Sequence, residues 1–141
     1  MIVEVIYADV KNLNDRIYSK NTLLKVINMF NPKKDNFGYF SSFNNNKEIS
    51  HKTNSLFFKN NILYADITLL DTKYGNIIKN DILHYSFTLK TIANVDDDGY
   101  VSVSDFLSID AIFLKNDSYP QKIRKNKLKK LNENRSKSNI Y

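Results

Sequence analysis

The stretch NLNDRIYSKNTLLKVINMF, residues Asn12 to Phe30, is the most informative part of this 141-residue chain. It places a polar turn and an Arg-Ile-Tyr tripeptide directly before an amphipathic segment. Ser19 or Asn21 is suited to cap a helix, because its side-chain oxygen accepts a hydrogen bond from a free N–H of the first turn. The residues that follow helical spacing are Leu23, Leu24, Ile27 and Phe30. Asn31-Pro32 then stops the helix.

Strand signals surround this helix. A strand is predicted from Ile2 to Tyr7, and a hairpin joins Leu56 to Phe58 with Ile62 to Leu70 through the turn Lys59-Asn60-Asn61. The segment from Lys33 to Lys52 is polar and turn-rich, and it is predicted to be a mobile loop.

The second half of the chain repeats this alternation. Asp71 and Thr72 are suited to cap a short helix whose apolar face comprises Tyr74, Ile77, Ile78 and Ile82. Further strands are predicted over Leu83 to Ala93, Tyr100 to Val103 and Phe106 to Leu114. Strands in the majority with two helices inserted indicate an α+β fold with an antiparallel or barrel-like sheet.

Asp96-Asp97-Asp98-Gly99 lies between two of these strands. Calcium loops of the EF-hand type alternate their ligands and close with a Glu at the twelfth position, which this segment lacks. Contiguous Asp residues followed by Gly are ordinary hairpin-turn chemistry, so a turn is predicted here and no metal site.

Length and composition limit the classes of protein that fit. The length suits one domain, and the absence of Cys excludes disulfides and cysteine metal sites. No apolar run is long enough to span a bilayer, and Glu4 and Asp9 argue against a signal peptide, so we expect a soluble protein made in a cytoplasm. No cofactor is implied.

The net charge of +6 belongs to the end of the chain. Residues 121–141 carry eight Lys or Arg and one Glu, which leaves thirteen positive and fourteen negative charges on residues 1–120. We therefore expect a body over 1–120 and a basic C-terminal tail over 121–141. The tail is read either as a solvated terminus or as a segment that docks on an acidic subunit or contacts nucleic acid without sequence preference.

Three motifs, in the right order, resemble those of phage prohead (head maturation) proteases of the T-even type, which are similar to herpesvirus assembly proteases. Asn12 to Ser19 resembles "N-x-N-G-R-I-Y-P", with Asp15 in place of Gly and Ser19 in place of Pro. Ile49 to Ile82 resembles a block that begins "v-S-H-k" and continues through "L-D-T-p-x-G". Leu107 to Pro120 resembles the closing "f-D-l-V-x-N-P-S-x-P" segment.

The resemblance implies a herpesvirus-protease-like β-barrel with flanking helices, and a serine protease as its ancestral activity. Its presumed base His corresponds here to Ser42, and its "S-S-R" nucleophile segment overlays Thr88, Leu89 and Lys90. A hydroxyl cannot accept a proton near neutral pH as imidazole does. Retained activity would need His51 or His84 as base, Ser86 or Thr88 as nucleophile, and Asp110 to orient the base. The alternative for His51 is a partly buried polar side chain entering a strand.

Two functions follow from the resemblance. The first is a virion or head-assembly protein with an inactive protease-like fold, assembled in the host bacterial cytoplasm, that binds capsid, portal or neck subunits and has no membrane partner. The second is an active serine-type maturation protease that cleaves scaffold and capsid proteins. Self-association is also compatible with either. The expected partner-binding residues are Lys122, Arg124, Lys125, Lys127, Lys129 and Lys130.

Overall fold

The computed structural model describes residues 1–12, 14–41 and 47–114. Its elements are β1 (Ile2–Tyr7), α1 (Lys20–Met29), β2 (Phe37–Ser41), β3 (Lys47–Lys59), β4 (Ile62–Leu69), α2 (Lys73–Asn80), β5 (Tyr85–Val95) and β6 (Val101–Phe113). A 3₁₀ turn, Ile82–His84, joins α2 to β5.

The strands form one curled sheet in the order β1-β4-β3-β2-β6-β5. Four of the neighbouring pairs are antiparallel, and β2 runs parallel to β6. The fold is therefore α+β and mainly antiparallel, as predicted. Within the described residues the sheet is a half-barrel, because no hydrogen-bonded ladder joins its edge strands β1 and β5.

Both helices contribute to the same core as the sheet. Ser19 caps α1 by accepting a hydrogen bond from the N–H of Thr22, and Leu23 and Val26 are completely buried. Thr72 caps α2 in the same way, through the N–H of Gly75, and places Ile78 in the core. Both predicted helices and one of each pair of predicted caps are thus confirmed.

The Asn12–Ser19 segment is hydrogen-bonded to the hairpin that β5 and β6 form. Ile17 donates its N–H to the carbonyl of Gly99 and accepts from the N–H of Val101. Asp15 has a φ of +60°, a conformation that glycine adopts without steric cost.

The β5–β6 hairpin turn also matches the prediction. Gly99 has a φ of +92°, and the Asp96 carboxylate accepts hydrogen bonds from the N–H groups of Asp98 and Tyr100. The carboxylate of Asp96 is therefore engaged in holding the turn.

Two predictions in the sheet were wrong. The supposed loop from Lys33 to Lys52 contains β2 and the start of β3, because pairing with β6 and with each other orders these strands. The two predicted strands over Tyr100 to Leu114 are one continuous strand, β6, in which register shifts opposite Lys90/Thr91 and Ile92/Ala93 absorb the polar interruption.

Candidate functional site

The predicted base His51 lies in β3 at a break in the β2–β3 register. Gly38 pairs with His51 and the next residue, Tyr39, pairs with Ile49, so Ser50 is the extra residue of a β-bulge. Ser50 and His51 are both completely buried. The imidazole lies over Gly38, where a Cβ atom would overlap the ring.

Both ring nitrogens of His51 are engaged. Nε2 lies 2.6 Å from the carbonyl oxygen of Ile109, which can only accept, so Nε2 carries the proton and donates it. Nδ1 is then an acceptor, 2.7 Å from the Ser50 hydroxyl that donates to it. The ring thus links β3 to β6 across the intervening strand β2.

Burial sets the charge state of this imidazole. Desolvation lowers the pKa of His51 below its ordinary value, and the hydrogen bond to Ile109 and the negative charge of Asp110 oppose this effect only in part. His51 is therefore neutral at pH 7. This agrees with the reading of His51 as a buried polar side chain, although it is buried completely rather than partly.

The predicted nucleophiles lie on the other side of β5. Phe87 packs edge-to-face on the His51 ring, with 5.2 Å between ring centroids. Side chains alternate along a strand, so Ser86 and Thr88, the two neighbours of Phe87, point to the opposite face. The structure therefore does not bring His51 together with either hydroxyl.

The predicted orienter, Asp110, is nearly fully buried and lies opposite Thr88 in the sheet. The two residues are directly paired between β5 and β6. The Asp110 carboxylate accepts hydrogen bonds from the N–H of Tyr39 at 3.2 Å and the Ser108 hydroxyl at 2.8 Å. The bond from Tyr39 joins β2 to β6, whereas the bond from Ser108 lies within β6. The negative charge of Asp110 acts on His51 by raising its pKa.

The second candidate base, His84, lies in the 3₁₀ turn before β5. It pairs with Asp81, and its ring lies 6.4 Å from that of Phe113. Within the described part of the chain it has no hydrogen bond to Ser86 or Thr88. Ser42 and the tail residues Lys122 to Lys130 lie outside the described residues.

Ser50 was not among the residues singled out from the sequence. A Ser-His dipeptide in a regular strand would place the two side chains on opposite faces, and only the bulge brings them together. The resulting hydroxyl–imidazole pair has the atoms of a nucleophile and base. Complete burial of both side chains closes it to a peptide substrate.

Residues 1–12, 14–41 and 47–114 contain neither a metal-binding cluster nor a membrane-spanning helix. No three or more His, Asp or Glu side chains there are grouped so as to hold a metal ion. No helix of that region is long and apolar enough to cross a membrane.

A curled, mainly antiparallel half-barrel with two helices also occurs in a solved structure. The chain is similar to the solved structure of the bacteriophage T4 capsid assembly protease, gp21, with a TM-score of 0.57, 15% sequence identity and coverage of 80% of each chain. No protein-family model and no curated protein matches the chain. At this identity the likeness establishes the fold and does not extend to catalytic residues.

Proposed function

We propose that this chain is a phage virion or head-assembly structural protein that uses an inactive prohead-protease-like fold to bind capsid, portal or neck subunits. The similarity to a capsid assembly protease supports the connection with a phage head. The observation that carries inactivity is the position of His51, which is buried on the face of β5 opposite Ser86 and Thr88.

A serine protease needs a base within hydrogen-bond reach of its nucleophile and N–H donors near the reacting carbonyl. Here the Nδ1 atom of His51 is occupied by Ser50, and Nε2 donates to a backbone carbonyl. Thr88 without a paired base is a poor nucleophile. The fold therefore serves as a binding scaffold.

The alternative function is an active serine-type maturation protease that cleaves scaffold and capsid proteins. The 2.7 Å contact between the Ser50 hydroxyl and His51 Nδ1 is the observation in its favour. It would require the bulge to open, since neither side chain has any exposed surface.

Reaction with a fluorophosphonate probe tests the two functions, because the probe labels activated serine nucleophiles. We expect the full chain to remain unlabelled and uncleaved on prolonged incubation, while a serine protease in the same tube is labelled. The informative variants are Ser50→Ala, Ser86→Ala and Thr88→Ala, with the exposed Ser102→Ala as the matched control. Labelling or self-cleavage that is lost in one of the first three and kept in the control would establish the protease.

A further inference from the structure

Ring side chains form a row at one end of the half-barrel, where β6 ends. Phe113 lies 5.5 Å from Tyr85 and 6.4 Å from His84, measured between ring centroids. Leu83, which precedes His84, is 84% exposed, and Phe113 is 43% exposed. We call Leu83, His84, Tyr85 and Phe113 the end patch.

The end patch is also the place where the chain leaves the described fold. The N–H of Leu114, the last described residue, donates to the carbonyl of His84 at 2.8 Å. Residues 115–141 therefore start within the patch. A segment that begins at the end patch can bind the patch without the entropic cost of closing a long loop.

We propose that the end patch binds the first apolar residues of this chain's own C-terminal segment, Tyr119 and Ile123. Ile123 is nine positions beyond Leu114, and an extended chain of that length spans about 30 Å, enough to return across the patch. Burying an exposed Leu, a Phe and a half-buried Tyr against Tyr119 and Ile123 removes apolar surface from water on both sides.

Charge favours the same occupant. Asp81, whose side chain is half exposed, lies beside the end patch and contacts His84. Lys122 and Arg124 flank Ile123 in the sequence, and residues 115–141 carry a net +7 against −1 on residues 1–114. Docking of Ile123 would bring Lys122 and Arg124 towards the Asp81 carboxylate. Physiological salt screens this attraction only in part when the charges are closer than about 8 Å.

The consequence is a fixed exit direction for the tail. Anchoring at Tyr119 and Ile123 would present Lys125, Lys127, Lys129 and Lys130 from one end of the body. This inference concerns contacts within a single chain, so it stands or fails independently of proteolysis and of any capsid partner.

Limited trypsinolysis of the full chain tests the docking. Cleavage after Lys122 and Arg124 is measured in the unmodified protein and in Leu83→Asp, which removes a side chain too exposed to support the core. We expect cleavage to accelerate about fivefold or more in Leu83→Asp, because the loss of one apolar contact shifts the docked and free populations by that order. The control is Leu107→Asp, at an exposed position of β6 outside the end patch, and it should cleave at the original rate.

A second variant and a crosslink keep the test decisive. Ile123→Ser should accelerate cleavage as Leu83→Asp does, and the double variant should add little more. A photoreactive residue at position 83 should crosslink to residues 115–124 of the same chain, with no mixed products from isotopically light and heavy protein. Equal cleavage in all variants, or crosslinks between different chains, would overturn the proposal.

Discussion

At the scale of single residues, Gly38 and His51 depend on each other. The imidazole reaches Ile109 only because Gly38 leaves space over β2. Its two hydrogen bonds satisfy the buried Ser50 hydroxyl and a backbone carbonyl. Removing the imidazole or the Ser50 hydroxyl leaves a buried polar group unpaired, and replacing Gly38 forces the ring to move. Either change lowers the free energy of unfolding.

We predict that Gly38→Ala destabilises the protein by about 1–3 kcal/mol, the usual cost of forcing extra volume into a packed site. Backbone strain is not involved, because Gly38 does not have a positive φ. Urea denaturation of Gly38→Ala, His51→Ala and the double variant measures the coupling. The double variant should lose clearly less free energy of unfolding than the two single variants lose together, because removing the ring makes room for the new methyl group. Simple additivity would show that the methyl group does not meet the ring.

The same histidine makes stability depend on pH. Its pKa is lowered in the folded state by burial, whereas the unfolded chain has the ordinary value near 6.5. Below that pH the unfolded state binds more protons than the folded state, so the free energy of unfolding falls as the pH drops from about 7 towards 5.

Denaturant titrations at several pH values check this prediction. His51→Gln should be less stable at pH 7 but show a shallower decrease towards pH 5, and His84→Gln, at the partly exposed histidine, serves as control. If His51→Gln and the unmodified protein lose stability in parallel, another group is responsible.

At the scale of elements, the sequence predicted what is determined locally. The caps Ser19 and Thr72 and the Asn60-Asn61 turn are specified by neighbouring residues, and each lies where the pattern indicated. Strand β2 was missed because its residues are ordered by β3 and β6, far away in the chain. The residue types of the candidate site could likewise be read from the sequence. The bulge at Ser50 and the contact of His51 with Phe87 could not, because both depend on pairing between distant strands.

The β3–β4 turn offers a direct test of local control. Asn60 and Asn61 have φ values of +52° and +63°, which match a two-residue hairpin turn with left-handed conformations at both positions. We predict that Asn61→Val lowers the free energy of unfolding by about 1–2 kcal/mol, whereas Asn61→Gly keeps or raises it. Thermal melting measures both. Asn94→Val, at an exposed strand position with no left-handed strain, is the control and should not destabilise. Equal effects of the two Val substitutions would mean that the turn conformation does not limit stability.

At the scale of the whole molecule, charge and fold are separated along the chain. Within the described residues the buried core extends from Ala8 to Leu114, while seven net positive charges lie in residues 121–141. Such a segment is attracted to an acidic capsid surface or to nucleic acid over distances of about 8 Å at physiological salt. We therefore propose that the body supplies shape and the basic tail supplies attachment within a virus particle.

We predict that deleting residues 121–141 leaves the body folded, by circular dichroism and thermal melting, but strongly reduces its cosedimentation with phage heads. Reversing Lys125, Lys129 and Lys130 to Glu should reduce it similarly, and added salt should weaken binding of the unmodified protein, because the attraction is electrostatic. The matched control reverses three exposed lysines of the body, Lys20, Lys25 and Lys34, with the same change in net charge. A smaller effect in this control would locate attachment in the tail rather than in overall charge. Normal cosedimentation of the truncated and tail-reversed chains would mean instead that the half-barrel itself makes the attachment, and a truncated body that melts or precipitates would mean that the tail completes the core.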